Sequence, residues 1–334
     1  MDTTEIQQQL FQLIKRKLPE GASVPDEVAQ LLDISADSAY RRMRGEKCIS
    51  FDELYKLALH YNISLDQLMN IRQNGFLFQG NLLDSKTHRY DAYLTGIMHT
   101  MAYFNSFKEQ KEFYYLGKDL PVFHYFQFKP LAAFKYYFWM GTLIFFPEFR
   151  NKKIKIDDYP DDLLELGRKS LTLYNQMDSF EIWNMESLNS TLYQIEYYLD
   201  TNMFETEEDA LQVYDAIGKI FYHIEEQAKK GYKFSFDDPQ KKPLGKYNAY
   251  INEVVLLDNS MLVVLDGKKV SLLPHCAINY MMTMDMKFCD NHYDYIQNLI
   301  RRSTQISEVS EKERAKFFRR IHDRIERRRE SLKV

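Results

Sequence analysis

Between residues 23 and 70 the chain reads as four short helices, each opened by a side-chain cap and each carrying apolar residues at three- and four-residue steps. Ser23 with Asp26, Ser50 with Glu53 and Ser64 with Gln67 each make a pattern in which a hydroxyl and an acid or amide satisfy orphan N–H groups at a helix start. Ser35, directly before ADSAYRRMRG, is a fourth N-cap. Val28, Leu31, Leu32, Ile34, Ala39, Met43, Leu54, Leu57, Ala58, Ile63, Leu65 and Leu68 supply enough apolar surface for one small core. A further helix precedes them at residues 4–18, with Ile6, Leu10, Leu13, Ile14 and Leu18 on one stripe and Lys15, Arg16 and Lys17 at its C-terminal end, where they favour the helix dipole. Pro19-Glu20-Gly21 ends it.

Two helices of about eight to ten residues with three or four between them describe a helix-turn-helix, whose second helix can lie in a DNA major groove. On these residues the segment resembles the Cro/C1-type (xenobiotic-response-element) helix-turn-helix regulators. Glu27-Val28-Ala29, Ile34-Ser35, Arg41, Arg44-Gly45, Leu54–Ala58 and Ile63-Ser64-Leu65-Asp66 carry the likeness, which covers about the first seventy residues and says nothing of the rest. The chain departs from the family at Asp33, where the turn usually has Gly, and at Val24 and Pro25, which replace a Ser and a Gln that commonly touch phosphate. Arg42 stands where the family has an apolar residue, so Met43 and Tyr40 are expected to take over its packing.

The resemblance implies that Ala36, Asp37, Ser38 and Arg41 face base edges, with Arg41 suited to guanine and Asp37 to the cytosine amino group. The blander alternative for Asp37 is a cap that pairs with Arg41 one turn on. Ser35, Arg42, Arg44 and Lys47 are assigned to phosphate, where they position the protein without reading sequence.

Charge tempers that reading. The chain has a formal net charge of −4, and residues 1–72 hold nine Lys/Arg against eleven Asp/Glu, a balance of −2 where DNA-binding domains are more often basic. The basic residues nevertheless cluster around the second helix, while many acids cap helices. Cys48, Cys276 and Cys289 show no disulfide spacing and point to a reducing, cytoplasmic setting; the polar, helix-capping N-terminus is no signal peptide.

Two domains are expected, residues 1–72 and 73–334. With 24 Tyr and 23 Phe, the larger core should be aromatic. Phe76-Leu77-Phe78 between Gly75 and Gly80 reads as a short strand inside a boundary region at 71–90. An aromatic helix follows at 89–107, then a strand pair at Glu112–Leu116 and Val122–Phe128. Residues 131–149 are the most apolar run, but internal Lys135, flanking Lys129 and Arg150, and Pro147 favour a buried helix over a membrane span. Helices are expected near 160–178, 184–201, 206–230, 290–303 and 310–331. Between 247 and 285 the period changes to alternation, with Asp258-Asn259 and Asp266-Gly267 as turns, so three or four antiparallel strands interrupt the helices. The fold class is therefore mainly α, α+β overall: a five-helix domain followed by a larger helical domain holding a small antiparallel sheet.

Chemistry is sparse. His275-Cys276 and Cys289-x-x-His292 offer metal-ligand types, but adjacent ligands on a strand point to opposite faces, so no metal is assigned. There is no glycine-rich phosphate loop, nucleophile elbow or H-E-x-x-H helix; Asp157-Asp158, Asp161-Asp162 and Glu225-Glu226 read as caps and solvated faces, and no catalytic residue or cofactor is assigned. The C-terminal helix carries ten Lys/Arg against five Asp/Glu from Glu311 to Lys333, with Phe317, Ile321, Ile325 and Leu332 as an apolar stripe. It reads as a docked surface helix, a dimer contact or an extra phosphate contact. The expectation is a cytoplasmic, sequence-specific regulator that binds double-stranded DNA as a homodimer, since one helix reads only a half-site, with a second domain open to a small-molecule or peptide effector and no membrane. The alternative is a peptide- or protein-binding module that carries a helix-turn-helix domain.

Overall fold

The computed structural model describes residues 2–19, 21–69, 75–82, 89–255, 257–276 and 278–333, which fall into two compact units, Met1–Gly75 and Phe76–Val334. The first helix ends at Lys17 with Leu18 as its C-cap, just before the expected Pro19 stop; Glu20, the side chain of Gln67 in the Ser64–Gln67 cap and the boundary expected at residues 72 and 73 lie outside what is described. The first unit is helical: α1 (Thr3–Lys17), α2 (Val24–Leu32), α3 (Ala36–Arg44), α4 (Phe51–His60) and a single turn, α5 (Leu65–Leu68). Leu10, Ile14, Val28, Ala39 and Leu57 are fully buried at its centre, each on the stripe its helix period dictates. Ser35 caps α3 by accepting the Ser38 N–H at 3.2 Å, and Ser50 with Glu53 closes a capping box on α4. Ser23 makes no such side-chain cap, contrary to expectation; Pro25 stands at the start of α2, where it removes a backbone donor that would otherwise need a partner. Asp33 takes the left-handed conformation (φ 56°) that ends α2, so the turn keeps its geometry without Gly.

The second unit is organised by a seven-stranded mixed sheet, which corrects the small antiparallel sheet expected. Its strands are β1 (Lys111–Gly117), β2 (Asp178–Trp183), β3 (Tyr247–Ile251), β4 (Met261–Leu265), β5 (Lys268–His275), β6 (Asn279–Thr283) and β7 (Thr304–Gln305), in the order β6-β5-β4-β1-β2-β3-β7. β1, β2 and β3 run parallel, and the remaining pairings are antiparallel. Parallel neighbours need crossover helices, and α8 (Asp161–Asn175) leads into β2 while α9 (Asn189–Asp200) and α10 (Glu207–Lys230) fill the passage from β2 to β3. Alternation sorts the two faces: Phe113 and Tyr115 pack with Met101 and Phe104 of α6 (Tyr90–Asn105) and Tyr174 of α8, whereas Tyr114 and Leu116 pack with Ile296 and Leu299 of α11 (Met286–Arg301). Asp266 and Gly267, both at positive φ, make the tight hairpin between β4 and β5.

Other expectations shift. Val122–Phe126 is a 3₁₀ helix, not a strand, because Pro121 starts an i→i+3 turn and β2 occupies the place beside β1. Phe76–Phe78 is no strand; Gln79 alone bridges Met282, with the Phe76 and Phe78 rings against Phe288. The apolar run forms α7 (Lys129–Phe138), which continues through one π turn to Leu143. Among the described residues no helix is long and apolar enough to cross a membrane. Lys135 within α7 is 2% exposed and bonds Asp119, Thr191 and Gln194, with its ammonium 4.7 Å from the Tyr125 ring centre. The final helix, α12 (Glu311–Glu330), buries Phe317, Phe318, Ile321 and Ile325 in the same core as α7 and α10.

Candidate nucleic-acid interface

In α3 one side is held and the other is bare. At 3.6 residues per turn, Ala36, Asp37, Tyr40, Arg41 and Arg44 fall within an arc of about 140°, and all five are exposed. Opposite them Ala39 and Arg42 are buried and Met43 is half-buried. Ser38 lies off the bare arc: it is half-buried and its hydroxyl shares a 3.1 Å bond with Ser35.

Arg42 corrects the phosphate assignment. Its Nε and Nη2 donate to the two carboxylate oxygens of Glu53 at 3.0 and 2.6 Å, and its Nη1 donates to the Ser38 carbonyl at 3.1 Å. The Arg42 side chain is 5% exposed, so the guanidinium is a structural pin between α3 and α4. Glu53 also accepts the Ser50 N–H at 3.0 Å, so one carboxylate caps α4 and anchors α3 together. The Arg42 guanidinium holds the Glu53 carboxyl below its ordinary range. The family's apolar position is thus still an interior position here, filled by a paired charge; Tyr40, expected to replace it in the core, instead stands 45% exposed.

The far end of α3 is fastened by α1. Gln7 Nε2 donates to the carbonyls of Arg42 (2.7 Å) and Lys47 (2.8 Å), while its Oε1 accepts the Ile49 N–H at 2.9 Å. Gln8 reaches the Arg44 carbonyl at 3.2 Å. Gly45 ends the helix at φ 81°, where an added Cβ would meet the Thr4 methyl at 2.5 Å. The sequence alone gives Gln7 no role, and it assigns Tyr40 to packing rather than to this exposed side. Gln7 carried a signal: it lies three and seven residues before Leu10 and Ile14, a polar residue on an apolar stripe.

Residues 4–88 match the family model of the BetR domain. This is an HTH-type DNA-binding domain at the N-terminus, and it suggests a DNA-binding transcriptional regulator. No curated protein and no solved structure matches the chain. In the BetR domain the bare arc carries Arg41 and Arg44 against Asp37, and Glu46 just beyond the helix offsets the remaining charge. Arg41 and Arg44 share Glu46, at 3.7 and 3.4 Å, with all three side chains about half exposed. Exposed pairs of that kind contribute little, about 0–1 kcal/mol, and are readily exchanged for another anion. The Arg44 guanidinium lies 4.3 Å from the Tyr40 ring centre, which props it along the arc. Asp37 makes no ion pair with Arg41, and Lys47 is exposed just beyond the helix. The Ser35 hydroxyl is occupied by its cap at the N-terminus of α3.

Outside the BetR domain the remaining candidates are structural. Cys289 donates to the Thr283 carbonyl and His292 Nδ1 bonds Ser271 Oγ at 3.0 Å, while His275 and Cys276 are exposed. Among the described residues no group of three metal-ligand side chains comes together. Glu225 bonds Lys229 and His322.

Proposed function

We propose that the chain is a sequence-specific transcriptional regulator that lays the bare arc of α3 in the DNA major groove. The observation that carries this reading is the asymmetry of α3: five exposed residues on one side, and on the other a buried guanidinium, a capping carboxylate and a Gln7 clamp that fix the helix in place. Preorganisation of that kind is what groove reading requires, because a loosely held helix loses affinity to its own ordering. Ala36, Asp37 and Arg41 are assigned to base edges, with Tyr40 added at their side; Ser35, Arg44 and Lys47 are assigned to phosphate. Arg41 is the residue suited to bidentate contact with guanine, exchanging Glu46 for the base.

The finer reading is an intracellular homodimer, because one α3 spans only a half-site, with the second unit serving as dimerisation or effector domain. The test is selection of random duplex DNA by the full chain at moderate salt, followed by sequencing. An inverted repeat with half-sites about one helical turn apart is expected. Arg41→Ala should cost about 1–3 kcal/mol and relax preference at one base pair of each half-site. Retention with no enriched sequence, or no retention at all, overturns the reading and leaves the helix-turn-helix as a protein-binding module.

A further inference from the structure

A row of arginines on α12 is only partly accounted for by the fold. Arg320, Arg324 and Arg328 follow one another at four-residue intervals, so they lie side by side on one face and repel each other. With Arg327, Asp323 and Met185 they line a cleft of about 440 Å³. Two of the guanidiniums are anchored from below. Arg324 Nη1 donates to the Met185 carbonyl and to Asn189 Oδ1 at 2.7 Å, and Arg328 Nε donates to Glu196 at 2.6 Å. Arg324 keeps Nε and Nη2, and Arg328 keeps both Nη groups, without an acceptor among the described residues. Arg320 and Arg327 make no hydrogen bond or ion pair there at all.

Four guanidiniums less Asp323 and less the Glu196 paired to Arg328 leave two positive charges in the cleft. The helix dipole favours cations in the last turn, which accounts for Arg327 and Arg328 but not for Arg320, two turns earlier. The apolar stripe of α12 is on its buried side and is not involved. We propose that this cleft is an anion site for a ligand carrying more than one phosphate. The planar guanidinium fork matches phosphate oxygens in pairs, and two fixed forks flanked by two free ones span more than a single phosphate group. Met185 is the one apolar wall, so recognition rests on charge and donor geometry rather than on a hydrophobic body.

Phosphates of this kind come either from a nucleic-acid backbone or from a free polyphosphate compound, and two measurements on the full chain separate the sources. The variant is Arg320→Ala with Arg327→Ala, since neither side chain holds the fold; its urea transition should match the unaltered chain. Inorganic triphosphate is titrated by calorimetry, and duplex DNA binding is followed against salt. Triphosphate binding that weakens at least tenfold in the variant supports a free polyphosphate ligand. A fall of about 1.8 in the slope of log affinity against log salt, about 0.9 for each lost phosphate contact, supports the DNA backbone. If triphosphate does not bind and the slope is unchanged, the proposal is overturned and the row is a solvated helix face. Should the chain bind no DNA, the proposed regulator fails on its own account and the triphosphate titration alone decides the cleft.

Discussion

Each unit keeps an ion pair between two of its elements, and the two pairs differ in how they meet water. Arg42–Glu53 in the BetR domain leaves its carboxylate 18% exposed and lends it to the cap of α4, whereas Lys135 and Asp119 in the second unit are 2% and 7% exposed and close a network with Thr191 and Gln194. A small domain has little interior, so its polar side chains end helices or sit at the rim. The larger unit has room to enclose them: Glu181 is fully buried on β2, accepting hydrogen bonds from Tyr174, Trp183 and Tyr247. The cation is interior in both units; the carboxylate doubles as a boundary mark in one and is enclosed in the other.

The comparison breaks most visibly at Lys135. Lys135→Ala leaves the Asp119 carboxylate buried without its cation, and a loss of about 3–5 kcal/mol is expected. Both tryptophans, Trp139 and Trp183, lie in the second unit, so urea unfolding followed by their fluorescence reads that unit. The paired replacement Lys135→Met with Asp119→Leu should restore most of the stability, because it removes both charges. A single-variant loss below about 1 kcal/mol would mean that the pair is hydrated and that the contrast between the units is illusory.

Arg42 is the corresponding break in the BetR domain, and a smaller one. Arg42→Ala should cost about 1–3 kcal/mol, since Glu53 retains the Ser50 N–H and a path to solvent. Arg42→Leu should cost less than Arg42→Ala, because the position is interior and accepts an apolar side chain. Hydrogen exchange in the full chain checks this: amides of α3 and α4 should lose protection while the tryptophan transition stays in place.

These contrasts explain what could be read from residues alone. Ser35, Ser50 and Asp33 announce helix starts and a turn through local chemistry, and the structure places each where that chemistry requires. The DG turn and the alternation after residue 247 likewise mark β3 to β6. β2 escaped notice because Glu181 interrupts its apolar run, and a buried carboxylate looks like a surface residue until Tyr174 and Tyr247 are brought to it from distant elements. The three or four strands expected between 247 and 285 belong to a seven-stranded sheet because β1, expected only in a separate strand pair, and β2 join β3 through crossovers, and parallel pairing leaves no turn in the sequence. At the candidate interface Arg41, Arg44 and Lys47 lie exposed, but Arg42 belongs to the interior because its partner is eleven residues away, beyond the reach of helix periodicity.

A last test sharpens the comparison through pH. His124 is 1% exposed; the Gln127 amide bonds its Nδ1 at 2.7 Å, which places the ring proton on Nε2, an atom without a partner among the described residues. Burial, with His223 and Lys233 nearby, lowers its pKa to about 3 from an ordinary 6.5. A histidine depressed in the folded state binds its proton more readily when unfolded, so its contribution is fully present above pH 6.5 and is lost as pH falls from there toward 3. The second unit should therefore weaken through that window by up to about 1.4 kcal/mol per pH unit from this group, with His223, lowered to about 4, adding in the same direction. The depressed Glu53 works on the BetR domain with the same sign but begins only as pH approaches the carboxylate range. Tryptophan-detected urea unfolding between pH 7.5 and 5 should thus show a slope that His124→Asn reduces, the amide keeping an acceptor for Gln127. Exchange protection of α3 and α4 should stay level over the same interval. An unchanged slope in His124→Asn would place the ring in contact with water and remove it from the buried network; a parallel loss of protection in α3 would mean that the two units do not unfold as separate bodies.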